Sequence, residues 1–194
     1  MSSYPEYAEI EGKKYKINTD FRYAIECDRI ARDETIGDLE RALAIIYTLF
    51  GEEGINSHEH YEKLLKVAKK YLSCGKELEN TNEEPDMDFI QDYSYIKTSF
   101  RSDYGINLDK EQMHWWEFFD LINGLSNSEL GNCCVLNRVR NLRNFDLSSI
   151  KDPKERQKII KAKERVALKK LQKEIKLTEE QQKSVDEFYK SLGF

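Results

Sequence analysis

Between Met113 and Leu125 the chain carries Trp115, Trp116, Phe118, Phe119, Leu121 and Ile122 with few polar residues between them. At the 3.6-residue period of a helix these side chains fall on nearly every side, so a helix here needs other protein surface around it. An isolated solvated helix is thereby excluded. Burying one such aromatic contributes roughly 1.5–3 kcal/mol, and losing either tryptophan should cost several. A domain core is the first reading of this stretch, and a partner-binding surface is the second.

The rest of the chain supplies elements to surround it. Only three prolines and nine glycines occur, and 35% of residues are charged, a balance that favours helix over sheet. Hydrophobic residues make up 39%, including eleven tyrosines and nine phenylalanines, too many for a disordered chain. A length of 194 residues suits one domain, or one domain with a helical appendage. The longest apolar run, Ala42 to Phe50, is well short of the roughly 20 residues that span a bilayer. The start, Met-Ser-Ser-Tyr-Pro-Glu, lacks the basic and apolar parts of a signal peptide. The expectation is a soluble cytoplasmic protein with Cys27, Cys74, Cys133 and Cys134 reduced.

Along the chain, Glu9-Ile10 and Tyr15-Lys16-Ile17 flank a turn at Glu11-Gly12-Lys13 and predict a hairpin. A lone hairpin is marginal, so this one must pack on helices or pair with another chain; Tyr15 and Ile17 are therefore candidate partner-binding residues. Helices are predicted from Asp20 to Arg32, after a capping Thr35 with the stripe Ile36, Leu39, Leu43, Ile46 and Phe50, and from Ser57 to about Gly75. Gly51 and Gly54 mark the exit of the second. Residues 76–85 read as a polar loop and a possible internal boundary.

Asp86 is the expected cap of a helix whose Phe89, Tyr93, Ile96, Phe100 and Tyr104 share a face, ended by Gly105. Asp109 with Gln112 reads as a capping box for the next helix, with Leu108 and Met113 as its staple. Ser126 with Glu129 opens another through Leu130, Leu136, Val139 and Leu142, with Arg138, Arg140 and Arg143 on its polar sides.

Charge separates this body from the C-terminal stretch. From Lys151 to Lys176 eleven basic residues face four acids, a local charge of +7 in a chain of net −5, leaving −12 elsewhere. Asp152-Pro153 is a good helix start, and Thr178 with Gln181 begins a last helix with Val185, Phe188, Tyr189 and Leu192 on one edge. Residues 1–150 thus form a helical body, and 151–194 a basic arm. Lys161, Arg165, Lys169 and Lys170 are its candidate partner-binding residues. A solvated helix, an acidic partner helix and nucleic acid are all open; nucleic acid is disfavoured because no aromatics interleave with the charges.

Little points to catalysis. His58 and His60 are two apart, not the i, i+4 pair of a zinc helix, and His114 reads as a packed histidine. Asp88 and Asp92 could share a helix face and hold a divalent ion, but a structural hydrogen bond or an ion pair is the better reading of Asp92. Cys133-Cys134 read as buried thiols at helical positions. There is no phosphate loop, nucleophile elbow or Cys-x-x-Cys. No catalytic, metal or cofactor residue is assigned.

The central block is also distinctive as a pattern. Phe89-Ile90-Gln91-Asp92-Tyr93, Tyr95-Ile96, Phe100, Tyr104-Gly105-Ile106, Leu108, Met113-His114-Trp115-Trp116-Glu117-Phe118 and Gly124-Leu125 resemble the gp-fifteen family of tailed phages and prophages of Gram-positive bacteria. The start, Gly12-Lys13-Lys14-Tyr15, Ile17-Asn18 and Asp20-Phe21-Arg22, is similar to a variant of that family's start, and Asn107 stands where the family pattern has Asp. The resemblance covers about residues 8–145. It implies a non-catalytic tail-assembly protein: a chaperone for the tape-measure protein in the host cytoplasm, absent from the mature virion, with self-association or other tail proteins as further partners. A small nucleic-acid-binding regulator using the basic arm and a structural tail component are the alternatives. The expected fold is mainly α, with seven or eight helices, the small N-terminal hairpin and the basic C-terminal arm.

Overall fold

The computed structural model describes residues 4–76, 85–127 and 133–169. It is mainly α: two strands, β1 (Tyr7–Ile10) and β2 (Lys13–Lys16), precede α1 (Phe21–Ala31), α2 (Asp38–Ile55), α3 (Tyr61–Leu72), α4 (Tyr93–Tyr104), α5 (Trp115–Asn123), α6 (Val135–Asn144) and α7 (Pro153–Val166). Seven helices and one hairpin among the described residues agree with the fold class read from sequence. No helix among them is long and apolar enough to cross a membrane.

The hairpin pairs Ala8 with Tyr15 and Ile10 with Lys13 across a two-residue turn. Glu11 and Gly12 both take positive φ, 53° and 82°, as such a tight turn demands. Its inner face buries Ala8, Ile10 and Tyr15, followed by Ile17. The Tyr15 hydroxyl meets His60 Nδ1 at 2.6 Å, and Lys13 Nζ donates to Ser57 Oγ at 2.7 Å. The hairpin therefore closes on the turn before α3. Tyr15 and Ile17, expected as partner-binding residues, are 0% and 3% exposed and belong to this chain's own core.

Helix existence follows the apolar periodicity, but several starts differ from expectation. Thr35 does not cap α2: its hydroxyl donates to Asp33 at 2.5 Å, while Gly37 stands at the cap and its N–H donates to the Glu40 carboxylate at 2.7 Å. Gly51 takes non-helical angles (φ 62°, ψ −156°) and interrupts α2 where an exit was expected, and a further helical turn follows to Ile55. Gly54 is a close approach, since a Cβ there would lie 2.6 Å from that of Phe50. Asp86 caps nothing; α4 begins after Asp92. Asp109 lies in a turn set by Asn107, whose carbonyl accepts the N–H groups of Lys110 and Glu111 at 2.9 and 3.0 Å. His114 is the true cap of α5, its Nδ1 accepting the Trp116 N–H at 3.0 Å. Cys134 caps α6, its Sγ accepting from Asn137 N at 3.4 Å, so the two cysteines precede that helix instead of lying within it. Glu129 and Leu130 lie outside the described residues. The Gly105 stop is as expected, with φ 73° and the Ile106 N–H returning to Phe100 O at 3.3 Å.

The core is built around Phe118. Its ring stacks on Phe21 at 4.5 Å and on Phe100 at 5.1 Å, with Trp115 at 5.8 Å, so α1, α4 and α5 meet on one aromatic column. The Trp pair has a second use. Trp115 Nε1 donates to Leu72 O at 3.0 Å and Trp116 Nε1 to Tyr71 O at 2.9 Å, which also accepts the Cys74 N–H at 3.0 Å, so both indoles fasten onto the end of α3. A strand-like contact completes the joint: Phe21 N–H donates to Met113 O at 3.0 Å and Trp115 N–H to Thr19 O at 2.7 Å.

Candidate partner-binding groove

The sequence signature lies mostly inside. Ile96, Phe100, Leu108 and Phe118 are fully buried, and Met113, Trp115 and Leu125 nearly so. Tyr93, Tyr104, His114 and Trp116 are half-buried, and Gly105 is the α4 stop. His114 also reaches the N-terminal segment, with Nε2 3.1 Å from Pro5 O. A proton on Nε2 lets the ring donate there while Nδ1 caps α5.

Asp92 has the ion pair expected of it, and the partner is Arg143. The two guanidinium nitrogens Nη1 and Nη2 each lie 2.7 Å from a carboxylate oxygen, and both side chains are largely withdrawn from solvent. Arg143 also donates through Nη1 to Asp86 O at 2.8 Å and through Nε to Val166 O at 2.6 Å. It thus joins α6, the start of α4 and the end of α7, and is turned inward rather than lying on a polar face as its periodicity suggested. Asp88 precedes α4 and is not on a helix face with Asp92. One of its oxygens accepts the N–H groups of Ile90 and Gln91 at 2.9 and 2.7 Å, and the other pairs with Arg32 at 2.9 Å. Each carboxylate has its own arginine, an arrangement unlike a shared cation site.

His60 Nε2 approaches Glu11 at 3.1 Å, and Lys63 also pairs with Glu11. The His58 ring lies against Tyr61. Among the described residues no group of three or more histidines, cysteines or carboxylates could hold a metal ion.

The feature that sequence reasoning missed is an apolar groove of about 440 Å³. Ala24, Cys27 and Ala31 of α1, Ile45 of α2, Leu65, Ala68 and Leu72 of α3, Phe89 before α4, and Trp115 and Phe119 of α5 line it. Asp28, Lys69 and Ser73 supply its few polar edges. Small residues on α1 and α3 make the hollow, because Ala24, Ala31 and Ala68 leave the space that larger side chains would fill. α5 is less enveloped than its composition predicts, since Phe119 and Leu121 stay half exposed, and Phe119 forms a wall of this groove. Burial pushes the Cys27 thiol up to about 12, and Cys74 nearby is also pushed up to about 12 by burial. Both are protonated at neutral pH and poor nucleophiles. Asp28 is raised by burial against the pull of Arg32, 2.8 Å away. No signal in the linear sequence marks this site, since four helices and a turn spread from Ala24 to Phe119 build it.

A sequence model of the family described as Bacteriophage Gp15 protein matches residues 2–168. That span is most of the chain and takes in every described helix. The chain belongs to this bacteriophage family. No curated protein and no solved structure matches it.

Of the basic residues singled out in the arm, Lys161, Arg165 and Lys169 are exposed around the end of α7, and Lys170 lies outside the described residues, as does the last expected helix. The described part of the arm touches the body through Arg143, through Lys163 Nζ, which donates to Phe145 O at 2.7 Å, and through the Lys169 backbone, which exchanges hydrogen bonds with the Gln91 amide at 2.8 and 3.0 Å. In this Gp15 family chain the aromatic signature and the groove overlap in part: Phe89 and Trp115 of the signature line the groove, while Ile96, Phe100 and Phe118 of the signature lie in the core.

Proposed function

We propose that the chain is a non-catalytic bacteriophage tail-assembly protein that binds an apolar helical stripe of the tape-measure protein and keeps it soluble until the tail tube covers it. The observation that carries this reading is the apolar groove between α1, α2, α3 and α5. Its volume is within the roughly 300–1,000 Å³ of ordinary ligand sites, and its lining suits side chains at i, i+3 and i+4 of a partner helix. Family membership supports the phage setting. Binding alone performs this task, and the protonated Cys27 thiol in the groove wall fits a site that acts by contact.

On this reading the protein works in the bacterial cytoplasm and is missing from purified virions, which mass spectrometry of virions checks. Self-association and contacts with other tail proteins accompany the main interaction. Co-expression with the tape-measure protein of the same phage should raise that protein's soluble yield, and the pair should co-purify in high salt. An unchanged soluble yield would sink the proposal. A second reading, nucleic-acid binding by the arm, is favoured by the exposed Lys161, Arg165 and Lys169. It requires DNA binding that weakens steeply with salt and disappears on reversing those charges.

A further inference from the structure

Two walls of the groove are each one face of a helix. On α1 the lining residues are Ala24, Cys27, Asp28 and Ala31, and on α3 they are Leu65, Ala68, Lys69, Leu72 and Ser73. Steps of three and four residues repeated along each wall amount to about two helical turns, roughly 10–12 Å at 1.5 Å per residue. A slot of that length suits two turns of a partner helix with apolar side chains at i, i+3, i+4 and i+7.

The charges of the two walls are compensated differently. The Asp28 carboxylate on α1 is held by Arg32 at 2.8 Å, and the same guanidinium reaches Asp88 at 2.9 Å. On α3, Lys63 pairs with Glu11, and Lys66 with Glu62 at 2.6 Å. Lys69 is the lysine of that helix that lines the groove, and it is exposed. Among the described residues no carboxylate lies within ion-pair distance of its ammonium. A second cation, Lys76, lies with Nζ 5.0 Å from the centre of the Phe119 ring, another wall of the groove. The lining charge without a counter-ion is therefore positive, and it sits on the α3 side.

We propose that the groove takes an amphipathic helix whose apolar stripe is bordered by carboxylates, one of which meets Lys69. This rests on the groove being the partner site, and adds the chemistry of the partner to it. The apolar stripe supplies the affinity, and the exposed ion pair supplies a selectivity that salt screens.

The test uses the full chain and three synthetic peptides of about 18 residues, long enough to hold a helix. They share one leucine stripe and differ only in its border, which is Glu, Gln or Lys. By fluorescence anisotropy the Glu-bordered peptide should bind about two- to fivefold tighter than the Gln-bordered one. Lys69→Glu should abolish that preference and make the Lys-bordered peptide the tightest, while leaving the Gln-bordered affinity unchanged. In about 1 M salt, where the screening length is roughly 3 Å, all three should bind the wild type alike. Leu65→Glu should weaken all three. Several results would overturn the proposal: no binding by the Glu- and Gln-bordered peptides, a Glu-bordered peptide that binds no tighter than the Gln-bordered one, a preference that survives Lys69→Glu, or undiminished binding after Leu65→Glu. None of the peptides comes from the tape-measure protein, so the border rule can hold when co-purification fails, and the reverse.

Discussion

Helices α5 and α7 show two ways for a helix to exist in one chain. α5 spans only nine residues, yet it buries Trp115, Phe118 and Ile122 and sends both indole N–H groups to the end of α3. α7 spans fourteen and buries none of its residues completely. It relies on local devices: the Asp152 carboxylate accepting from Lys154 N at 2.8 Å, Pro153 at the first position, and a few side-chain bonds to backbone carbonyls near its ends. In α5 the tertiary contacts carry the helix, while α7 is carried by capping and composition. Damage to the first should therefore unfold the molecule, and damage to the second should fray an arm.

The largest effect separates the two directly. Phe118→Ala removes the ring between Phe21 and Phe100 and should cost about 3–5 kcal/mol in chemical denaturation. Replacing Ile160 of α7 with Ser should cost under about 1 kcal/mol, because that residue is only half-buried. Equal losses would erase the distinction. Next comes the joint between body and arm. Arg143→Ala leaves the Asp92 carboxylate buried without its partner and should cost about 3 kcal/mol. Adding Asp92→Asn should recover part of that loss in a double-mutant cycle.

Caps come third. His114→Ala should cost about 1 kcal/mol globally, whereas Asp152→Ala should lower helicity by circular dichroism while leaving the denaturation midpoint nearly unchanged. The smallest effect concerns pH. The Glu11 carboxyl is held below its ordinary 4.5 first by the hydrogen bond from Lys63 and then by His60. A depressed carboxylate contributes stability above its unfolded value and loses it as pH falls through the folded one. Glu11→Gln should therefore make the acid-side decline in Tm slightly shallower. The change should be small, because the group is exposed.

Much of this fold was legible in the sequence because apolar periodicity reports burial. The hairpin's alternation and the apolar stripes of the body helices come from it, while the Gly105 stop and the α7 start come from the residues glycine and Asp-Pro themselves. Helix starts were less legible, and for one shared reason. Thr35, Asp86, Asp109 and Ser126 look like caps, but the chain spends its short polar side chains on turns before the helices: Asp33, Asp88 and Asn107 each bond backbone N–H groups two or three residues on. The caps then fall to Gly37, Asp92, His114 and Cys134. Arg143 was misplaced because a helical wheel shows which side a residue faces and not that a buried carboxylate waits there. The groove was invisible for a related reason. Ala24, Ala31 and Ala68 read as ordinary helix formers, and only their meeting across α1 and α3 makes a hollow.

The central claim is that recognition lies in that groove and not in the basic arm. Affinity for a tape-measure fragment in high salt, compared between wild type, Leu65→Glu and the charge-reversed K161E/R165E, tests it most directly. Recognition in the groove predicts at least a tenfold loss, about 1.4 kcal/mol, for Leu65→Glu with its circular dichroism spectrum unchanged, and no loss for K161E/R165E. Full binding by the groove variant, or binding abolished by the arm variant, would contradict it.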